Sequence, residues 1–236
     1  MKTRTLWKTL RMMKIKRILP LLLLSMFLPW ESFSQEKDFG IWYSINAEME
    51  LAKKLEIDFW GNLRTFRNAS KIEEGFGEAG LTYKILKNLS IGGKYRFTMQ
   101  LEDDDVYHPR HKWIGDLKAN RELGNFEFSG RIRFQRQDKT YFEDKDDEIP
   151  DYYTRFRLKT EYKTRSFPVN PFASFETFSR VFETAEKTIE KTRFSLGMEY
   201  SIGKKHSVEL EYMYQHDTQP KLYTKSIIGI NYSLKL

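Results

Sequence analysis

From Phe39 onward the chain alternates apolar and polar residues, and this period of two restricts its fold more than any other feature. Phe39, Ile41, Tyr43, Ile45, Ala47, Met49 and Leu51 take one phase. Gly40, Ser44, Asn46, Glu48 and Glu50 take the other, which only Trp42 interrupts. Successive side chains of a strand point to opposite faces, so this run reads as a β-strand with one apolar and one polar surface. It is long beside the roughly 5–6 residues of a strand in a soluble sheet. Ten further runs of the same kind follow, over residues 55–64, 78–85, 89–99, 113–119, 126–135, 152–162, 171–177, 193–202, 207–215 and 228–236.

The connections sort into two classes. Short ones lie around Lys53-Lys54, Lys87-Asn88, Leu123-Gly124-Asn125, Ser166–Val169 and Gly203-Lys204-Lys205. Longer, polar ones span Arg67–Gly75, Glu102–Arg110, Arg136–Pro150, Ser179–Glu190 and His216–Leu222. Short turns on one side and long loops on the other mark a transmembrane barrel. Strands of about ten residues suit a tilted crossing of the hydrocarbon layer, where every backbone polar group must be paired and the sheet must close. The expected fold is all-β: a transmembrane antiparallel up-and-down β-barrel of 10–12 strands. Eleven runs conflict with the even number usual in bacterial single-chain barrels. Three resolutions stand open: a first strand that closes in parallel with the last, a first strand outside a ten-stranded core, or a twelfth strand.

Composition agrees with a sheet of two-faced strands. Hydrophobic residues make up 40% of the chain, too few for a bundle of membrane helices, while aromatics at 15% exclude a disordered chain. Cysteine is absent, which removes disulfides and thiolate chemistry together.

The surplus of positive charge belongs to the N-terminus. Residues 1–34 read as a cleaved signal peptide, and 35–236 as the barrel. Lys2, Arg4, Lys8, Arg11, Lys14, Lys16 and Arg17 precede an apolar run from Ile18 to Trp30, and Ser32 and Ser34 offer a cleavage site. That segment carries seven of the 40 basic residues and one of the 33 acids, so the formal charge of +7 falls to +1 without it. A nucleic-acid partner is therefore not expected. The expected setting is the outer membrane, with its lipid and lipopolysaccharide as surroundings and the barrel-assembly machinery as a partner during insertion.

The opening Asp38-Phe39-Gly40-Ile41-Trp42 and hairpins such as Leu81-Thr82-Tyr83-Lys84-Ile85-Leu86-Lys87-Asn88-Leu89-Ser90-Ile91-Gly92 resemble a Bacteroidetes family of outer-membrane barrels known only as domain of unknown function 2490. The resemblance spans essentially the whole chain after residue 34. It implies a barrel and a compartment, and it supplies no catalytic residues. The apolar residues Ile228, Ile230, Tyr232, Leu234 and Leu236 also resemble the C-terminal insertion signal of outer-membrane proteins, with Leu236 in place of the usual aromatic.

Candidate chemistry is sparse. A Ser/His hydrolase needs the two side chains within hydrogen-bond reach. The one adjacent pair, His206-Ser207, points to opposite faces of a strand, and His108, His111 and His216 fall in or beside loops. No catalytic residue, cofactor or metal ligand is assigned. Asp103-Asp104-Asp105 and Asp144–Glu148 read first as solvated loops, with weak calcium or lipopolysaccharide bridging as the sharper alternative. The inward phase is more informative. It holds Lys94, Arg96, Arg131, Arg133, Arg155, Arg157 and Lys159 on one arc, and Glu48, Glu50, Glu56, Asp58, Glu176, Glu199, Glu209 and Glu211 elsewhere, largely opposite. Such a lumen is either filled by salt bridges between facing walls or left as a narrow pore with a transverse field. Inward Trp42, Trp60 and Phe66 favour occlusion. Three roles follow: a structural or binding barrel with a filled or narrow lumen, a small passive channel for polar solutes, and a lipid-active enzyme.

Overall fold

The computed structural model describes residues 36–142, 148–164, 167–181, 189–218 and 222–236. The proposed signal, residues 1–34, lies outside them, as do residues 144–147 of the second acidic loop. The described residues form eleven strands: β1 (Glu36–Ala52), β2 (Leu55–Phe66), β3 (Lys71–Leu86), β4 (Leu89–Leu101), β5 (Tyr107–Leu123), β6 (Phe126–Lys139), β7 (Asp151–Tyr162), β8 (Val169–Arg180), β9 (Lys191–Ile202), β10 (His206–Asp217) and β11 (Tyr223–Lys235). They close into one barrel in sequence order, each antiparallel to the next.

The odd strand count is resolved at the seam, where β1 pairs with β11 in parallel from Glu36↔Tyr223 to Glu48↔Lys235. Hydrogen bonds at both ends fasten it. Tyr223 donates to Asp38 at 2.8 Å, and the Leu236 amide donates to the Glu48 carbonyl at 2.8 Å. Asp38 also accepts from the amides of Arg67 and Asn68, at 3.0 and 2.8 Å, and so holds a turn in which Arg67, Asn68 and Ala69 all have positive φ.

A closed sheet must return each strand to the face it started on. The ladder that leaves β5 at Glu122 and passes through Glu161, Gly197, Gly229, Trp42 and Glu74 returns to β5 at His108, fourteen residues away. An even stagger keeps inward residues inward all round, because side chains alternate with period two. The wall is accordingly inside out. Leu196, Leu210 and Ile230 are exposed on the outer face, whereas Arg133, Lys225, Arg96 and Glu176 are 2–4% exposed.

Several strands outrun their alternating segments. β3 begins at Lys71, inside the expected loop 67–75, and β5 runs from Tyr107 to Leu123 although only residues 113–119 alternate cleanly. β6 continues to Lys139. These extensions are mostly polar, with exceptions such as Ile72, Tyr107 and Leu123, since only the part of the wall that meets hydrocarbon needs an apolar side. The loops on that side shorten to 67–70 and 102–106, while 140–150 and 181–190 stay long.

The phase is testable. Leu210 pairs with Ile230 and Met198 midway along β9–β11, so Leu210→Arg should cost about 2–4 kcal/mol. Ser207→Arg, inward and near the open end, should cost clearly less. Urea unfolding from lipid vesicles compares them, and equal losses would reverse the assigned phase.

Candidate functional site

Charged side chains fill the lumen, and most are matched with a neighbour one or two strands away. Arg133 of β6 makes a two-pronged bond to Asp116 of β5, at 2.6 and 2.7 Å. Arg96 of β4 holds Glu78 of β3 through two nitrogens, at 2.8 and 2.6 Å. Lys94 bridges Asp58 and Glu78, Lys84 pairs with Glu56, and Arg64 pairs with Glu74. Buried ions need such partners, because stripping water from a lone charge costs several kcal/mol.

The facing walls expected from the sequence meet at fewer points. Lys159 of β7 reaches Glu209 of β10 at 3.1 Å, a contact between the two arcs. Arg133 spends its fork on Asp116, which the sequence reading did not include, because β5 alternates weakly. Glu48 and Glu50 sit exposed at the short-turn end. Glu199 and Glu211 are half-buried, and among the described residues no ion pair holds them.

The densest cluster surrounds Glu176 of β8. Arg131 Nη2 lies 2.7 Å from its Oε1, Arg155 Nη2 2.9 Å from the same oxygen, and Arg193 Nη1 3.6 Å from Oε2. Among the described residues Arg157 makes no ion pair and donates to the Ser174 hydroxyl at 3.5 Å. Aromatic rings stack the guanidinium groups into place. Arg64 and Arg193 lie 3.9 and 4.7 Å from the Trp42 ring, and Arg155 and Arg193 lie 4.4 and 5.0 Å from Phe178. Below them Lys159 sits 3.9 Å over Phe172. That ring packs over Gly197 of the neighbouring strand β9, where an added Cβ would come within 2.5 Å of it. Arg64, Arg193 and Asp116 already stand in the inward phase of the runs 55–64, 193–202 and 113–119, and that phase is the signal that would have added them to the candidate set.

Three cavities are stacked along the axis. Toward the long loops, one of about 320 Å³ is lined by nine cationic and three acidic side chains. A central one of about 170 Å³ is lined by seven arginines and three glutamates. Toward the short turns, one of about 340 Å³ is lined by six cations and no acid. Arg64, Arg96, Arg155, Arg193 and Trp42 border both the first and second, and Arg131 and Arg157 border both the second and third.

The histidines lie away from the lumen cavities. His111 and His206 bond the hydroxyls of Tyr95 and Tyr232, at 2.6 and 2.7 Å. His108 bonds Asp104 at 2.7 Å, which holds that carboxyl below its ordinary range. Asp105 pairs with Lys71. Among the described residues no group of three or more His, Asp or Glu side chains could hold a metal ion.

Local pairing sets an expectation for stability. Arg133→Ala strands a buried carboxylate and should cost about 3–5 kcal/mol, whereas replacing Arg133 and Asp116 together with Met and Leu should recover most of it. A double-mutant cycle in urea should give strong coupling for Arg133 with Asp116 and almost none for Arg133 with Glu209. The reverse ranking would mean that the facing walls, not neighbouring strands, neutralise each other.

No curated protein matches the sequence. Among solved structures, the NanC porin superposes with a TM-score of 0.50 at 14% identity, covering 79% of this chain and 90% of the porin. The β domain of the Bordetella autotransporter BrkA gives a TM-score of 0.45 at 11% identity, over 75% of this chain and 82% of that one. The porin likeness is one of fold, that of an outer-membrane barrel. A family model described as protein of unknown function (DUF2490) matches residues 39–224, and the chain belongs to that family.

Proposed function

We propose that the protein is an outer-membrane barrel that passes small anionic solutes through a narrow, arginine-lined lumen. In this reading residues 1–34 carry the chain across the inner membrane and are removed, and the barrel-assembly machinery inserts the remainder among lipid and lipopolysaccharide. The observation that carries the reading is the stack of three cavities with shared arginine borders, each lined by more cations than acids. An anion leaving one set of guanidinium groups meets the next without crossing an uncharged gap. Lumen charge of one sign is how pores select ions, and the porin-like fold supports passage as the use of such a lumen. A second reading, a sealed structural barrel, draws on the matched pairs Arg133–Asp116 and Arg96–Glu78.

Planar bilayers separate the two. The purified barrel should give small conductance steps, and under a potassium chloride gradient its reversal potential should lie toward that of chloride. Arg157→Glu, which inverts a cation that makes no ion pair among the described residues, should move the reversal potential toward potassium. Silent membranes would favour the sealed barrel, and cation selectivity in the unaltered protein would overturn the proposal.

A further inference from the structure

We propose that the arginine cluster around Glu176 is an oxyanion-binding site, with Glu176 resting where the carboxylate or phosphate group of a solute would otherwise sit, and with Trp42, Arg131, Arg157 and Arg193 as donors. This deepens the anion-passage reading and takes the lumen chemistry from it.

The first argument is a count of donors. An ionised carboxylate offers about four lone-pair sites, and each guanidinium carries five N–H donors. Arg131, Arg155 and Arg193 all converge on Glu176, so the cluster holds more donors than its acid can accept. The surplus is visible: Arg131 Nε, Arg193 Nε and Trp42 Nε1 are buried and bond nothing among the described residues. Trp42 is 8% exposed, and all three residues border the central cavity. A buried donor left unpaired costs about 1–3 kcal/mol, more when charged. An entering oxyanion relieves that cost.

The second argument is rigidity and size. Stacking on Trp42 and Phe178 fixes the planes of Arg64, Arg155 and Arg193. Little side-chain freedom is then lost on binding, and a planar fork suits carboxylate and phosphate alike. A central space of about 170 Å³ admits a small acid and no extended polymer. Of the acids facing it, Glu209 is engaged by Lys159, and Glu211 lies along the wall over Gly229. Among the described residues, Glu176 is therefore the acid that pairs directly with the three arginines around it.

Isothermal titration of the detergent-solubilised barrel tests the site, with inorganic phosphate, glucuronate and neutral glucose as probes. Phosphate, glucuronate or both should bind saturably, and glucose should not; the two acid arms tell which oxyanion fits. Trp42→Phe keeps an aromatic platform and every ion pair but removes the indole donor, and should weaken binding about tenfold, whereas Ile227→Val, in the same buried cluster, should lower stability without weakening binding. Glu176→Gln should tighten binding by about tenfold or more, and phosphate should restore the thermal stability that this variant loses. Where Glu176→Gln does not fold, the Trp42→Phe comparison decides. No saturable binding to the unaltered protein, or binding that neither Trp42→Phe nor Glu176→Gln changes, would overturn the site. Anion-selective conductance without binding would leave passage standing and remove the site, whereas binding without conductance would do the opposite.

Discussion

Backbone pairing in hydrocarbon is the constraint on which everything else in this molecule rests. A strand that meets lipid has no water for its N–H and C=O groups, so the sheet has no tolerable edge and must close. Closure brings a second demand, because the ladder must come back to the same face. Eleven strands satisfy both through an even stagger of fourteen residues and one parallel pair. An odd strand number is compatible with a sealed wall provided the stagger is even, and only the direction of the last pairing has to change.

Once the wall is closed, the apolar side chains face outward and the charged ones have nowhere else to go. The interior is then governed by electrostatics in place of apolar packing. Buried hydrophobic side chains are few, Trp42, Phe76, Ile114, Phe172, Met213 and Ile227, and Trp42 and Phe172 serve as platforms for cations as much as filler. Neighbouring strands pair most of the ions, which holds the wall in register. The Glu176 cluster departs from that economy, with three guanidinium groups on one acid and a fourth close by. Pairing alone would be better served by one arginine for each acid, so the surplus of cations around Glu176 adds nothing to the matching of charges that holds the rest of the wall.

Much of this was legible in the sequence. The alternation from Phe39 to Leu51 gave the phase of β1, and the same parity placed Arg96, Arg133 and Glu209 on the inner face. What the sequence could not convey was which charges meet. Parity names a face and says nothing of the neighbour across the ladder, so the Arg133–Asp116 bond needed the register of β5 against β6. Residues 107–112 and 120–123 of β5 escaped notice because they stand beyond the apolar belt, where a period of two has no lipid to answer to. The seam was undecidable for a related reason: direction and pairing of β1 and β11 are set by closure, not by either segment's own pattern.

The seam also differs from every other junction in how the chain reaches it. Ten of the eleven pairings join strands that follow one another, so each forms after closing a short loop. The last brings together Asp38 and Tyr223, 185 residues apart. Loop-closure entropy grows with the logarithm of length, which makes this pairing dearer than a hairpin of a few residues by roughly 3–4 kcal/mol. The cylinder is thus a curled ribbon whose two long margins meet at the end of assembly. Along that line the wall is held by hydrogen bonds without a connecting turn, which makes it the place where a finished barrel would first come apart.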